Sequence, residues 1–254
     1  VFLFLSATIL LTSCTKSTSE VLEAPGQTTF KFDAHVGSAD FALKTDFVIS
    51  GRTYNFDKLR YWVSNVSLVD TRGNEYKVPN SYFLVEETSA VTVQDGAYTY
   101  PAKKREDVSI QGIPAGEYTT IKLSIGVDSI YNNNLSLQSG ELSQLSGMTN
   151  VSWMWHTSYI FASITGTIKD GATSKTIKAE TGLNKNFKSL TLTLPSAVRI
   201  SSTKSAAIGL TLDLAKVLNG LDLITTPTIG AGQAAVMSQL ATNYTQAITV
   251  TSVQ

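Results

Sequence analysis

Charge is scarce in this sequence: Asp, Glu, Lys and Arg make up 16% of 254 residues, and twenty basic side chains balance twenty acidic ones. Without a basic field there is nothing to draw nucleic acid, and no polybasic run offers itself to an anionic membrane surface. Histidine is as rare, with only His35 and His156. No Gly-x-Ser-x-Gly elbow, zincin pair, P-loop or dinucleotide fingerprint accompanies them, so no enzyme class is indicated. Cys14 is the single cysteine, which excludes an internal disulfide and any multi-thiolate metal site.

The polar residues present are mainly Thr, Ser, Gly and Asn, which suit strands and turns better than surface helices. With 43% hydrophobic residues the chain can bury a full core. Its first eleven residues are almost wholly apolar and lead into Leu11-Thr12-Ser13-Cys14. An apolar run this short matches the hydrophobic region of a signal peptide rather than a membrane span. A Leu, two small residues and a Cys resemble the lipobox of bacterial lipoproteins, in which acyl chains on the Cys anchor the protein. The expectation is a truncated signal peptide over residues 1–14, a flexible tether over 15–27 that packs against nothing before about Gly26, and one domain over 28–254. Localisation in a bacterial envelope, lipid-anchored on the outer membrane or periplasmic face, follows from Cys14.

From Thr28 the hydrophobic pattern has period two, the signature of strands. Leu59, Tyr61 and Val63 share a face, and the phase then slips to Val66 and Leu68. A slip of one residue inside a strand marks a bulge or short turn. Residues 70–74 form a turn that makes a hairpin with Tyr76-Lys77-Val78. Ile121, Leu123, Ile125 and Val127 alternate with polar residues or Gly. Residues 128–150 read as a long loop, and 152–168, 187–194 and 206–212 as strands. Asp213 is placed to cap a short helix ended by Gly220, and residues 232–246 carry an amphipathic helix before a last strand. The fold expected is all-β, a single β-sandwich with a short helical addition near the C-terminus. Its core should hold Leu59, Tyr61, Ile121, Leu123, Ile125, Phe161, Leu190, Leu192 and Leu210.

The densest chemistry lies in Trp153-Met154-Trp155-His156. On a strand the two tryptophans share one face and His156 the other. One reading is an aromatic ladder in the core with a histidine at its edge. The other is a metal or redox site using imidazole, with His35 as a second ligand if the fold brings the strands together.

Several segments taken in order resemble the MbnP-like family of copper-associated periplasmic and outer-membrane proteins. They are Phe32-Asp33-Ala34-His35-Val36-Gly37, Leu59-Arg60-Tyr61-Trp62-Val63-Ser64-Asn65-Val66, Ile113-Pro114-Ala115-Gly116-Glu117-Tyr118 and Trp153-Met154-Trp155-His156-Thr157-Ser158-Tyr159-Ile160-Phe161. The tail ending in Leu240-Ala241-Thr242-Asn243-Tyr244 follows the same order. The resemblance implies a β-sandwich, copper held by histidines and by an oxidised tryptophan, and a di-haem peroxidase-like partner that performs the oxidation. It makes His156 and His35 candidate ligands, Trp153 and Trp155 candidate modified or neighbouring aromatics, and Glu180 the residue at a family histidine position. The sequence departs from the family at Glu180, at Thr165, where an acid is usual, and at Ser158, where a Gly is usual. The function implied is a non-catalytic binding or redox-partner module. The alternative is a surface lipoprotein that binds glycan or protein through its loops and exposed aromatics.

Overall fold

The computed structural model describes residues 23–93, 96–150 and 158–254. Cys14, Trp153, Trp155 and His156 lie outside the described residues. The described residues open with β1 (Gly26–Val36), β2 (Ala39–Asp40) and β3 (Asp46–Ile49), then the long β4 (Arg52–Asp70). Short strands follow: β5 (Glu75–Lys77), β6 (Tyr82–Thr88), β7 (Val91–Val93), β8 (Tyr98–Tyr100) and β9 (Lys103–Arg105). Next come β10 (Asp107–Ile113), β11 (Gly116–Ile125), α1 (Ser129–Asn132) and β12 (Thr149–Asn150). Beyond them lie β13 (Ser158–Asp170), β14 (Thr173–Gly182), β15 (Lys188–Ile200) and β16 (Ala206–Asp213). The chain ends with α2 (Leu214–Val217), β17 (Thr228–Ile229), α3 (Ala234–Ala247) and β18 (Ile248–Val253).

Two sheets form the sandwich. The smaller runs β10-β1-β16-β18, with β2 folded back on β1; the larger runs β15-β11-β4-β13-β14-β17. β4 organises the larger sheet. β6 lines one edge of its Lys58–Ser64 stretch, while β13 and then β11 take the other edge. The change of partner coincides with the bulge that the hydrophobic phase slip predicts. Pairing with β11 jumps between Ser64 and Ser67, and Asn65 takes φ +49° to absorb the extra residue. A second irregularity, at Thr165/Gly166, lets β13 close on β4. A side chain at Gly166 would overlap the carbonyl of Asn55, so that position requires glycine.

Between the sheets, Phe32 of β1 meets Tyr61 of β4 edge-on with ring centroids 6.2 Å apart, and Tyr61 also contacts Tyr244 of α3 at 5.9 Å. Offset and edge-on contacts of this kind add to the area buried. The expected core residues are buried except Leu192, which is half-buried and packs against the core's margin. α3 lays Met237, Leu240, Ala241 and Tyr244 inward, and Asp213 caps α2 by accepting the amide of Ala215 at 3.0 Å. The polar segment 128–150 is more ordered than a loop reading implies. It holds α1, a 3₁₀ turn at Gln144–Ser146 and β12, and it buries Leu135, Leu142 and Met148. Packing also starts earlier than the tether reading predicts: Glu23 pairs with Arg199 at 2.9 Å, and the Ala24 carbonyl accepts the Ser202 amide at 3.0 Å.

Candidate functional site

A tight turn at Gly37 (φ +62°) folds β2 back on β1 and sets Asp40 directly opposite His35. Strand alternation sends Phe32, Ala34 and Val36 into the core, so Asp33 and His35 emerge together on the outside of the smaller sheet. His35 Nε2 lies 2.9 Å from Asp33 Oδ2. One ligand atom from each of Asp33, His35 and Asp40 falls within 4.8 Å of the other two. Ligands about 2 Å from a shared ion sit at most about 4 Å apart, so small side-chain rotations suffice to enclose one. Asp213 also stands opposite His35, but its carboxylate accepts the amides of Gly37 and Ala215 and ties this corner to α2. An imidazole with two carboxylates fits a borderline divalent ion such as Cu(II) or Zn(II). It does not by itself suit Cu(I), which selects sulfur and imidazole.

Glu180 is placed far from this corner. Cross-strand register lines up Glu180 on β14, Ser163 on β13, Arg60 on β4 and Glu86 on β6 in one row. Tyr61 and Leu59 point into the sandwich, so this row lies on the outer face of the larger sheet, yet all four of its side chains are buried. His35 and Glu180 therefore stand on opposite outer faces, with the core between them. Both carboxylate oxygens of Glu180 are engaged, Oε1 by Ser163 Oγ at 3.2 Å and Oε2 by Lys178 Nζ at 3.2 Å. Burial pushes the neighbouring Lys58 ammonium below its usual range, with Glu180 opposing the shift.

Three features escape a reading of the sequence. Asp40 is the first, although the Val36-Gly37-Ser38-Ala39 turn between His35 and Asp40 was available as a signal. The second is the buried Arg60–Glu86 pair, Nε to Oε2 at 2.8 Å. The third is Trp62, fully buried on the same outer face and edge-on to Tyr159 at 6.0 Å. A groove of about 440 Å³ opens between β4, β5 and the 128–150 segment, lined by Asn65, Asn80, Lys122 and Tyr131 among others.

A family model described as MbnP matches residues 25–238. Among solved structures the chain resembles MbnP from Methylosinus trichosporium, with a TM-score of 0.50 and 16% identity, covering 78% of this chain and 79% of that one. At that identity the likeness speaks for the fold alone. No curated protein matches the chain significantly.

Proposed function

The chain belongs to the MbnP family, and on that premise we propose that it is a lipid-anchored envelope protein that binds a metal ion or redox partner rather than catalysing a reaction. The observation that carries the metal part is the Asp33–His35–Asp40 group, one imidazole and two carboxylates converging on the outside of β1 and β2. Copper in its divalent state suits those donors, and copper is the metal that the family resemblance implies. The anchor is Cys14, on the strength of the lipobox pattern. The di-haem peroxidase-like partner, acting on Trp153 or Trp155, with His156 as a further ligand, belongs to the same proposal.

Calorimetric titration of the purified domain with Cu(II) and with Zn(II) tests the metal site. A single saturable event, lost in His35→Ala and weakened in Asp40→Asn, is expected. Equal binding by wild type and His35→Ala would remove His35 and the β1–β2 corner from the proposal. Fractionation of cells carrying Cys14→Ala tests the anchor: the variant should leave the membrane fraction.

A second reading, glycan or protein binding through loops, draws on the 128–150 segment. Ile130, Leu137 and Leu145 there are exposed at 67%, 43% and 45%, and Tyr131 lines the polar groove. Loops that carry exposed apolar side chains on a rigid scaffold are where binding concentrates.

A further inference from the structure

The outer face of the larger sheet holds a cation whose donors are only partly used. Arg60 is fully buried, and its Nε donates to Glu86 Oε2 at 2.8 Å. The other oxygen of Glu86 accepts the Tyr100 hydroxyl at 2.5 Å and faces Lys103 Nζ at 3.3 Å. Both oxygens of that carboxylate are engaged. Nη1 and Nη2 of Arg60, in contrast, have no hydrogen-bond partner among the described residues. A buried guanidinium whose two terminal nitrogens are unmet is costly, and the fork of N–H donors along that edge matches a carboxylate taken in bidentate fashion.

The surroundings of those two nitrogens are equally specific. The Tyr100 ring covers the guanidinium, 4.6 Å from its carbon to the ring centroid. Gly147, at φ +68°, passes close by: a Cβ there would sit 3.9 Å from Nη1. Tyr100 and Ser146, the residue before that glycine, both line a cleft of about 300 Å³ between β8, β9 and the 143–146 turn. Lys103 and Arg105 also line it, the latter paired with Glu141. Lys103 and Arg105 thus line the cleft with Glu141, while Arg60 and Glu86 lie behind the Tyr100 ring; among the described residues these three cations share two carboxylates. At the rim stand Tyr98 and Leu145, two of the few large apolar side chains left exposed among the described residues, at 39% and 45%.

We propose that this cleft binds a small monocarboxylate carrying an apolar or aromatic group. The carboxylate meets Lys103 at the mouth and then the Nη1–Nη2 edge of Arg60 once the Tyr100 ring swings aside. The apolar part rests between Tyr98 and Leu145. The proposal is independent of the metal site, which lies across the sandwich.

Calorimetry with benzoate, and with acetate and chloride at matched ionic strength, tests it on the full domain. Benzoate should bind saturably, about tenfold more tightly than acetate, because only it uses the rim. Arg60→Lys should lose that binding by about tenfold or more, since a point ammonium cannot replace the fork. That variant risks misfolding, so two surface variants accompany it. Lys103→Ala should weaken benzoate and acetate alike, while Leu145→Ala should weaken benzoate only. No saturable benzoate binding by the wild type would overturn the proposal. So would benzoate binding unchanged in both surface variants.

Discussion

The two faces of β4 make an instructive pair. Leu59, Tyr61 and Val63 point into the sandwich and meet Phe32, Tyr244 and the rest of the apolar core. Lys58, Arg60, Trp62 and Ser64 alternate with them on the outside, where a half-solvated sheet should present polar groups to water. Water does not reach most of them. Arg60, Trp62 and Ser64 are as fully buried as the core residues between them. The inner face is held by apolar burial that any well-packed side chains of similar volume would supply. The outer face is held by pairings that tolerate no missing partner: Arg60 with Glu86, Glu86 with Tyr100, Ser163 with Glu180. One strand thus carries two kinds of stability, one graded and one conditional.

Removing half of a buried pair breaks the comparison most sharply. Arg60→Ala leaves Glu86 charged and buried, and unfolding in urea should show a loss of about 3–5 kcal/mol. The double replacement Arg60→Met with Glu86→Leu should recover most of that loss, because an apolar pair of similar volume carries no desolvation cost. If the double variant is less stable than the single one, the outer face owes its stability to something other than this pairing. The adjacent inner residue supplies the counterpart. Leu59→Ala should cost about 2–5 kcal/mol through lost transfer energy and the cavity left behind. No partner substitution short of refilling the volume should rescue it.

A gentler probe of the outer face is Ser163→Ala, which removes one donor to Glu180 and should cost about 1–3 kcal/mol. Placing Ser at Ala162, one residue along and facing inward, buries a hydroxyl in apolar surroundings and should cost a similar amount for the opposite reason. These tests turn on what could be seen in advance. Period-two alternation marked the inner face of β4 and β11 correctly, and the slip between Val63 and Val66 located the bulge at Asn65, because register is written locally. The capping Asp213 and the stripe of α3 were legible for the same reason. Burial of the outer face was not. Arg60 and Glu86 look like solvent-facing residues until β8 and the 143–147 turn, distant in sequence, close over them. Of the candidate site, His35 and Asp33 could be read from strand parity, whereas Asp40 required recognising a turn of Gly37 and Ser38. Glu180 was assigned by resemblance alone. Its place in a buried polar row is set by three-strand register that no single segment reveals.

The smallest effect expected lies where β4 leaves the sheet and both faces reach water. Asp70 closes the turn: its Oδ1 accepts the amides of Arg72 and Asn74, both at 2.8 Å, and Oδ2 accepts Asn74 Nδ2 at 2.9 Å. Those bonds, the Asn74 side chain first, lower its carboxyl pKa to about 2. A carboxyl depressed on folding stabilises the native state above its unfolded value and loses that contribution as pH falls through the folded value. The window therefore runs from about pH 4 down to about pH 2. Other carboxylates titrate there too, so the quantity to follow is the difference between wild type and Asp70→Asn. That difference in urea midpoint should be largest near neutral pH and shrink toward zero across the window. A difference that stays constant from neutral to acid would mean that Asp70 acts through turn geometry alone and not through its charge. The turn around Asp70 is solvated, with Arg72 and Asn74 both exposed, which screens this contribution; it should be the weakest of these effects, and the contrast with Arg60 on the same strand measures what burial adds to a charge.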